Sequence, residues 1–220
     1  MAMALFAGSA FAQVPPGESE RLAYRGLFDA AARGDAARIR ALLAGGEKPD
    51  ARRDGHGRTP LHVAAHMSKL EAMRALVEGG ADPNALEADR YDIITIAAVA
   101  NDLPTLRTAI QLGGSARNIT SRYDGTALIA AAHLGHEAVV RVLISANAPL
   151  DHVNNLGWTA LIESIVLGDG GLRHTGTLRA LLEAGTNPNI ADRQGRSPLT
   201  LARERRYADM VALLEKRGAK

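Results

Sequence analysis

This 220-residue chain has two pairs of histidines whose spacing could support metal binding or catalysis. His62 and His66 stand four residues apart, so on a helix both imidazoles would lie on one side and could bind one metal ion. The residues between them, Val-Ala-Ala, do not include the glutamate that a zinc hydrolase places beside its first histidine. His133 and His136 have no carboxylate nearby at a spacing that indicates a catalytic dyad. We therefore assign no metal ligand.

Other reaction chemistries also lack their residues. Cysteine is absent, which excludes cysteine-ligated zinc, a thiol nucleophile and a disulfide framework. No Gly-x-Ser-x-Gly motif marks a serine nucleophile, and the carboxylates form no recognisable acid/base pair. The sequence predicts neither a catalytic residue nor a cofactor.

A glycine-rich segment at 168–176 could wrap an anion with its backbone N–H groups. It lacks the pattern Gly-x-x-x-x-Gly-Lys-[Ser/Thr] of a phosphate-binding loop, and no strand pattern precedes it. We interpret the segment as a flexible loop between two helices. The alternative is a loop that contacts a partner, because loops often carry function.

The first twelve residues have the features of a targeting segment. They carry no charge and end in Ala10-Phe11-Ala12, which is typical of a secretory signal peptide. The basic residue that normally precedes such an apolar run is missing, which suggests a longer leader upstream. We expect export to a bacterial periplasm, with residues 13–21 as an extended spacer. The alternative is a cytoplasmic protein with an alanine-rich tail.

Charge and composition narrow the class of partner. Lys and Arg number 26 against 24 Asp and Glu, and this surplus of two is too small to predict attraction to nucleic acid or to a membrane surface. Hydrophobic residues make up 46% of the chain but aromatic residues only 4%. An apolar content this aliphatic indicates closely packed helices.

The elements that must position these residues repeat about every 33 residues. Possible helix N-caps recur at steps of 33, 34, 33 and 38, at Thr59, Asp92, Thr126, Thr159 and Ser197. Residues that can close a helix in the left-handed conformation recur at steps of 34, 34, 33, 38 and 33, at Gly46, Gly80, Gly114, Asn147, Gly185 and Gly218. A short alanine-rich helix, a turn and a second helix are predicted after each N-cap.

This pattern resembles the ankyrin-repeat family. Residues 57–65 (GRTPLHVAA) match its helix-opening motif, and residues 134–140 (LGHEAVV) match its inter-helix turn and second helix. Residues 80–84 (GADPN) match its exit turn. The resemblance implies an all-α solenoid of stacked helix-turn-helix units with hairpin loops. It also implies that His62 is structural and binds the backbone of an adjoining turn.

The resemblance extends over residues 22–218, which we predict to form a single domain. Its predicted parts are an N-terminal capping unit at 22–50, full units at about 54–84, 88–118, 122–151 and 155–189, and a C-terminal capping unit at 192–218.

The family's architecture implies which residues are free to bind a partner. First helices would line a concave side, and hairpin turns would project from one edge. The predicted contacts on these surfaces are His56, Arg58, Arg90, Tyr91, Arg122, Tyr123, Asn155, Trp158, Arg193, Met67 and His133. Tyr91, Tyr123 and Trp158 are predicted to form a row of aromatic residues, a type common in binding hot spots. The alternative is that each one covers the next turn.

The predicted function is that of a non-catalytic protein–protein interaction module, monomeric, whose partner is another protein and not a nucleic acid. No membrane insertion is expected. One alternative is an accessory or metal-handling protein that supports an envelope enzyme. Another is a secreted effector scaffold that acts on host proteins.

Overall fold

The computed structural model describes residues 14–52 and 55–220, so the predicted signal peptide lies outside the described residues. They form thirteen helices and no strand, which confirms the predicted all-α class. They divide into two compact units, an N-terminal unit up to Ser115 and a C-terminal unit from Ala116. A single domain across 22–218 stays a prediction.

The N-terminal unit begins differently from the predicted capping unit. Gly26, at φ +58°, lies between two short helices, and the first of them begins before the predicted start of the capping unit at residue 22. The first of these takes up part of the predicted spacer 13–21. The helices of this unit are α1 (Glu18–Ala23), α2 (Leu27–Arg33), α3 (Ala36–Ala44), α4 (Pro60–His66), α5 (Leu70–Glu78), α6 (Ile93–Val99) and α7 (Leu103–Gln111).

The C-terminal unit consists of three helix pairs. They are α8 (Ala127–His133) with α9 (Glu137–Ser145), α10 (Ala160–Val166) with α11 (Leu172–Glu183), and α12 (Pro198–Glu204) with α13 (Ala208–Lys216). Across residues 14–52 and 55–220, no helix combines the length and apolar character needed to cross a bilayer.

All five predicted N-caps are confirmed. Each side chain accepts a hydrogen bond from the backbone N–H three residues later, at 2.8 Å for Asp92 and 3.2 Å for Thr159, for example. Such a bond supplies a partner for one of the first N–H groups of the helix. The five helices that follow these N-caps, α4, α6, α8, α10 and α12, therefore begin where the sequence predicts.

One of the predicted helix closures is out of register. Gly113, at φ +93°, and not Gly114, is the left-handed residue after α7. Gly114 has a different role, because a Cβ there would lie 2.8 Å from the carbonyl oxygen of Ala109 and 3.0 Å from the side chain of Ile94. The other five predicted closures are left-handed.

In each pair the first helix buries a larger fraction of its residues than the second helix does. In α8 every residue from Ala127 to Ala132 is buried, whereas α9 buries only Val139, Val140 and Leu143. Alanine on the first helix permits close approach of its neighbours, and the larger aliphatic residues fill the space between them. Side chains of the second helices and of the hairpins remain available for other contacts.

Candidate protein-interaction site

A buried polar side chain organises the hairpin loops that precede the first helices. Asn154, only 3% exposed, accepts hydrogen bonds through Oδ1 from the backbone N–H groups of Leu156 and Trp158, both at 3.0 Å. Asp192 in the next hairpin accepts the equivalent two bonds at 2.9 Å. Glu87 does so in the N-terminal unit, at 3.0 and 3.1 Å. The loops are therefore shaped before any partner binds, which reduces the entropy lost on association.

These anchor residues were not among the predicted site residues, although the sequence carries a signal for them. Each stands five residues before an N-cap, and they recur at steps of 34, 33 and 38, at Glu87, Ser121, Asn154 and Asp192. The shorter Ser121 makes one such bond, from the backbone N–H of Tyr123 at 3.2 Å.

Backbone hydrogen bonds join successive hairpins within each unit. In the N-terminal unit the N–H of Ala88 donates to the carbonyl of His56 at 2.8 Å. In the C-terminal unit the N–H of Asn155 donates to the carbonyl of Tyr123 at 2.9 Å. The two bonds occupy the same register in the repeat, so these links between neighbouring hairpins are made by backbone atoms alone.

The C-terminal unit brings several predicted contact residues together. The Asn155 side-chain amide donates to the carbonyl of Arg122 at 3.0 Å, and the Arg193 guanidinium donates to the carbonyl of Asn155 at 2.5 Å. All three residues are exposed. Leu156, which was not predicted, is 37% exposed beside them in the chain. We call Arg122, Tyr123, Asn155, Leu156 and Arg193 the tip surface.

The remaining predicted contacts differ in accessibility. Arg90 is exposed, and His56 and Met67 are half-buried in the N-terminal unit. In the C-terminal unit His133 and Trp158 are half-buried.

Two predicted contacts need correction because their side chains are buried in this structure. Arg58 is 2% exposed and Tyr91 is 6% exposed. Residues 14–20 cover Arg58, since Glu20 pairs with its guanidinium at 2.8 Å and the Val14 carbonyl accepts a second bond from it. Arg58 cannot contact a partner while this segment is in place, and Tyr91 exposes too little surface to do so.

The three aromatic residues predicted to form a row do not occupy the same position in the repeat. Tyr91 and Trp158 each stand directly before an N-cap, whereas Tyr123 stands three residues before Thr126. Tyr91 is therefore equivalent to Trp158, and Tyr123 is equivalent to Leu156. Of these four residues, Tyr123 and Leu156 belong to the tip surface, and Tyr91 and Trp158 do not.

A buried acid lies in the middle of α10. Glu163 is fully buried, with Oε2 3.2 Å from Nδ1 of His133 and Oε1 accepting from the Asn154 amide at 2.9 Å. Burial raises the pKa of Glu163, although the hydrogen bonds from His133 and Asn154 act in the opposite direction. The equivalent positions of the other first helices are apolar, at Val63, Ile96, Ala130 and Leu201. Packing does not require an acid here, so its contribution is to hold α8, α10 and the Asn154 hairpin together.

The glycine-rich segment is more ordered than the predicted loop. Helix α11 begins at Leu172, so the second half of the segment is helical. His174 links it to neighbouring structure through Nδ1 to Asp169 at 2.8 Å and Nε2 to the carbonyl of His133 at 3.0 Å. The Tyr207 hydroxyl donates to the carbonyl of Gly168 at 2.9 Å. The Asp169 carboxylate also accepts a hydrogen bond from the backbone N–H of Gly171 at 2.9 Å, so this loop donor already has a partner.

The histidine pair on α4 has a structural arrangement. His62 Nε2 donates to the carbonyls of Ala85 and Tyr91 at 3.0 and 3.2 Å, and Nδ1 accepts from Thr59. This confirms the predicted backbone role of His62 and leaves neither nitrogen for a metal. Burial lowers the pKa of His62 to about 4 and that of His66 to about 3. In the part of the chain that the structure describes, no group of three or more His, Asp or Glu residues could hold a metal ion.

Comparison with known proteins agrees with this repeat geometry. Family profiles for ankyrin repeats match residues 56–88 and, as three copies, residues 94–192. The ankyrin repeat protein YahD of Escherichia coli K12 is 32% identical over 86% of this chain and 94% of its own length.

Solved structures show the same architecture. An ankyrin repeat domain from Acinetobacter baumannii AYE is 42% identical, with a TM-score of 0.82 over 88% of this chain and 98% of that one. The ankyrin repeat domain of Bcl-3, a member of the IkappaB family, is 26% identical, with a TM-score of 0.79 over 90% and 88%. The recurring caps, closures and hairpin anchors, together with these matches, establish that the chain belongs to the ankyrin-repeat family.

Proposed function

We propose that this protein is a non-catalytic binding module that recognises another protein through the tip surface of its C-terminal unit. The observation that carries the proposal is the linked chain of exposed residues from Arg122 through Asn155 to Arg193, held by bonds that need no partner. Leu156 adds exposed apolar area, and arginine adds planar donors for carboxylates.

The family supports this class of function. Ankyrin repeats are in general protein-interaction modules, and the fold is typically a non-catalytic scaffold. The metal-handling alternative loses its main basis, because both nitrogens of His62 are engaged in hydrogen bonds.

Crosslinking in native cells, followed by mass spectrometry, tests the tip surface. We expect a triple variant with Arg122→Ala, Tyr123→Ala and Leu156→Ala to lose the specific crosslinked partner while its melting temperature changes little. A matched control replaces Arg179 and Arg217, which are exposed elsewhere in the C-terminal unit, by alanine and keeps the partner. Equal capture by the two variants would refute a role of the tip surface in recognition.

We further propose that the protein acts in the periplasm after export through residues 1–12. Support comes from the sequence alone, in the uncharged run that ends in Ala10-Phe11-Ala12. Cell fractionation with N-terminal sequencing of the native protein tests this, and we expect a periplasmic product that begins at Gln13. An uncleaved product in the cytoplasm would contradict export.

A further inference from the structure

The segment Val14–Glu20 lies over part of the N-terminal unit that was predicted to bind a partner. With Val14 in place, the space between this segment and the repeats is a cavity of about 10 Å³. Its other lining residues are His56, Arg58, His66, Glu87, Asp89 and Tyr91. We call the surface formed by these six residues the Arg58 groove. Of its two acids, Glu87 already accepts hydrogen bonds from the backbone N–H groups of Asp89 and Tyr91, at 3.0 and 3.1 Å.

The main polar contacts of the segment are made with Arg58. One guanidinium nitrogen lies 2.8 Å from Oε1 of Glu20, and another donates to the backbone carbonyl of Val14. The side chain of Arg58 is 3% exposed, and that of Glu20 is 24% exposed. A buried guanidinium is stable only when charged and polar groups surround it, so this surface is suited to a carboxylate and a nearby peptide carbonyl.

The segment has the character of a bound peptide and not of a repeat. Residues 14–17 are not helical, and their sequence Val-Pro-Pro-Gly favours an extended conformation with little entropy to lose on binding. Pro16 is buried against the unit. The matched ankyrin repeats begin at residue 56, so the segment lies outside them.

The segment is also held by few contacts. Helix α1 has six residues and none of them is buried, and a helix this short is unstable without tertiary support. Val14 is 58% exposed and Leu22 is 72% exposed. A segment with so little buried apolar surface can detach locally while the unit remains folded.

We propose that the Arg58 groove is a peptide-binding site and that residues 14–20 are its resident, displaceable occupant. The partner that takes their place is an extended, proline-containing protein segment with a carboxylate that pairs with Arg58. This proposal rests on the proposed function of protein recognition and adds a second, regulated surface. The apparent affinity of the groove for a partner is its intrinsic affinity multiplied by the fraction of molecules in which the resident segment is detached.

The test uses the full chain and a fluorescein-labelled peptide with the sequence of residues 14–24, VPPGESERLAY. Glu20→Lys places a like charge against Arg58 and should release the resident segment. Glu18→Lys is the matched control, because Glu18 is exposed on the same helix. We expect fluorescence anisotropy to show about tenfold tighter peptide binding by Glu20→Lys than by the wild type or the control.

A second measurement changes the peptide and leaves the groove residues of the protein unaltered. The same peptide with Glu20→Gln should bind the Glu20→Lys protein at least about tenfold more weakly, because it lacks the carboxylate. Hydrogen exchange of residues 14–23 should be faster in Glu20→Lys than in the control. Equal peptide affinity for all three proteins, or no preference for the carboxylate, would overturn the groove proposal. Partner capture through Arg122, Tyr123 and Leu156 is measured separately, so either proposal can fail alone.

Discussion

The two units share the same repeat positions, but the hairpin side chains at and near these positions differ in exposure. In the N-terminal unit the residues directly before the N-caps, Arg58 and Tyr91, are buried. In the C-terminal unit the equivalent Trp158 is half-buried, and the neighbouring hairpin residues Arg122 and Asn155 are exposed. Repeat position alone therefore does not decide accessibility, and for Arg58 the difference comes from the segment 14–20 that covers it. Substitutions and pH changes that act on one unit test this difference.

Loss of a hairpin anchor should destabilise the C-terminal unit most. Asn154→Ala removes the acceptor for two backbone N–H groups and the donor to buried Glu163, and we expect about 4 kcal/mol of destabilisation. Urea denaturation measures this value, and hydrogen exchange locates the change at 155–158. Asn187→Ala is the control, because this exposed residue accepts one local bond and should lose well under about 1 kcal/mol. A small effect of Asn154→Ala would show that the anchor does not set the loop shape.

A buried histidine of the N-terminal unit and a buried acid of the C-terminal unit should make opposite contributions to the pH dependence of stability. The pKa of His62 is about 4 in the folded chain because of burial, against an ordinary value of 6.5. The unfolded chain therefore takes up this proton first as the pH falls below about 6.5. The N-terminal unit loses stability from there down to about pH 4, by about 3 kcal/mol for His62 alone. His66 acts in the same direction.

Glu163 has the reverse effect in the C-terminal unit. Because burial raises its pKa, the folded state holds this proton more tightly than the unfolded state. The stability that it contributes is complete below about pH 4.5 and is lost as the pH rises through the raised pKa. Native-state hydrogen exchange, corrected for intrinsic rates, follows each unit separately. The wild type should lose stability relative to Glu163→Gln as the pH increases from 4.5 to 7, and a constant difference would contradict a raised pKa.

The smallest effect concerns the links of the tip surface. Arg193→Ala removes the bond to the Asn155 carbonyl but leaves the backbone bond from Asn155 to Tyr123 intact. We expect a loss of no more than about 1 kcal/mol in stability, since the arginine is exposed. Partner affinity should fall further than stability does. If thermal unfolding changes as much as binding, Arg193 is a structural residue.

The repeat framework was predictable because each cap and closure needs a particular kind of residue at a fixed spacing. Thr59, Asp92 and Thr126 can all be read from their capping chemistry. The closure of α7 was predicted at Gly114 but lies at Gly113. Either of these adjacent glycines fits the sequence pattern of a helix closure, and only the backbone angles distinguish them.

The site was less predictable, because burial depends on residues far away in sequence. Arg58 and Glu20 are 38 residues apart, and no local pattern indicates that they pair. Glu163 also breaks the apolar pattern of its position, and its partners His133 and Asn154 come from a different helix and a hairpin. The hairpin anchors were recoverable, since they share the period of the N-caps that follow them.

The backbone bonds between successive hairpins separate architecture from recognition. Ala88 to His56, and Asn155 to Tyr123, are joined through atoms that any amino acid other than proline supplies at the donor position. Exposed loop residues other than the buried anchors can thus be randomised in a combinatorial library while the links that align neighbouring loops persist. The tip surface is accordingly a region where new specificities could be selected, by evolution or in the laboratory, without rebuilding the scaffold.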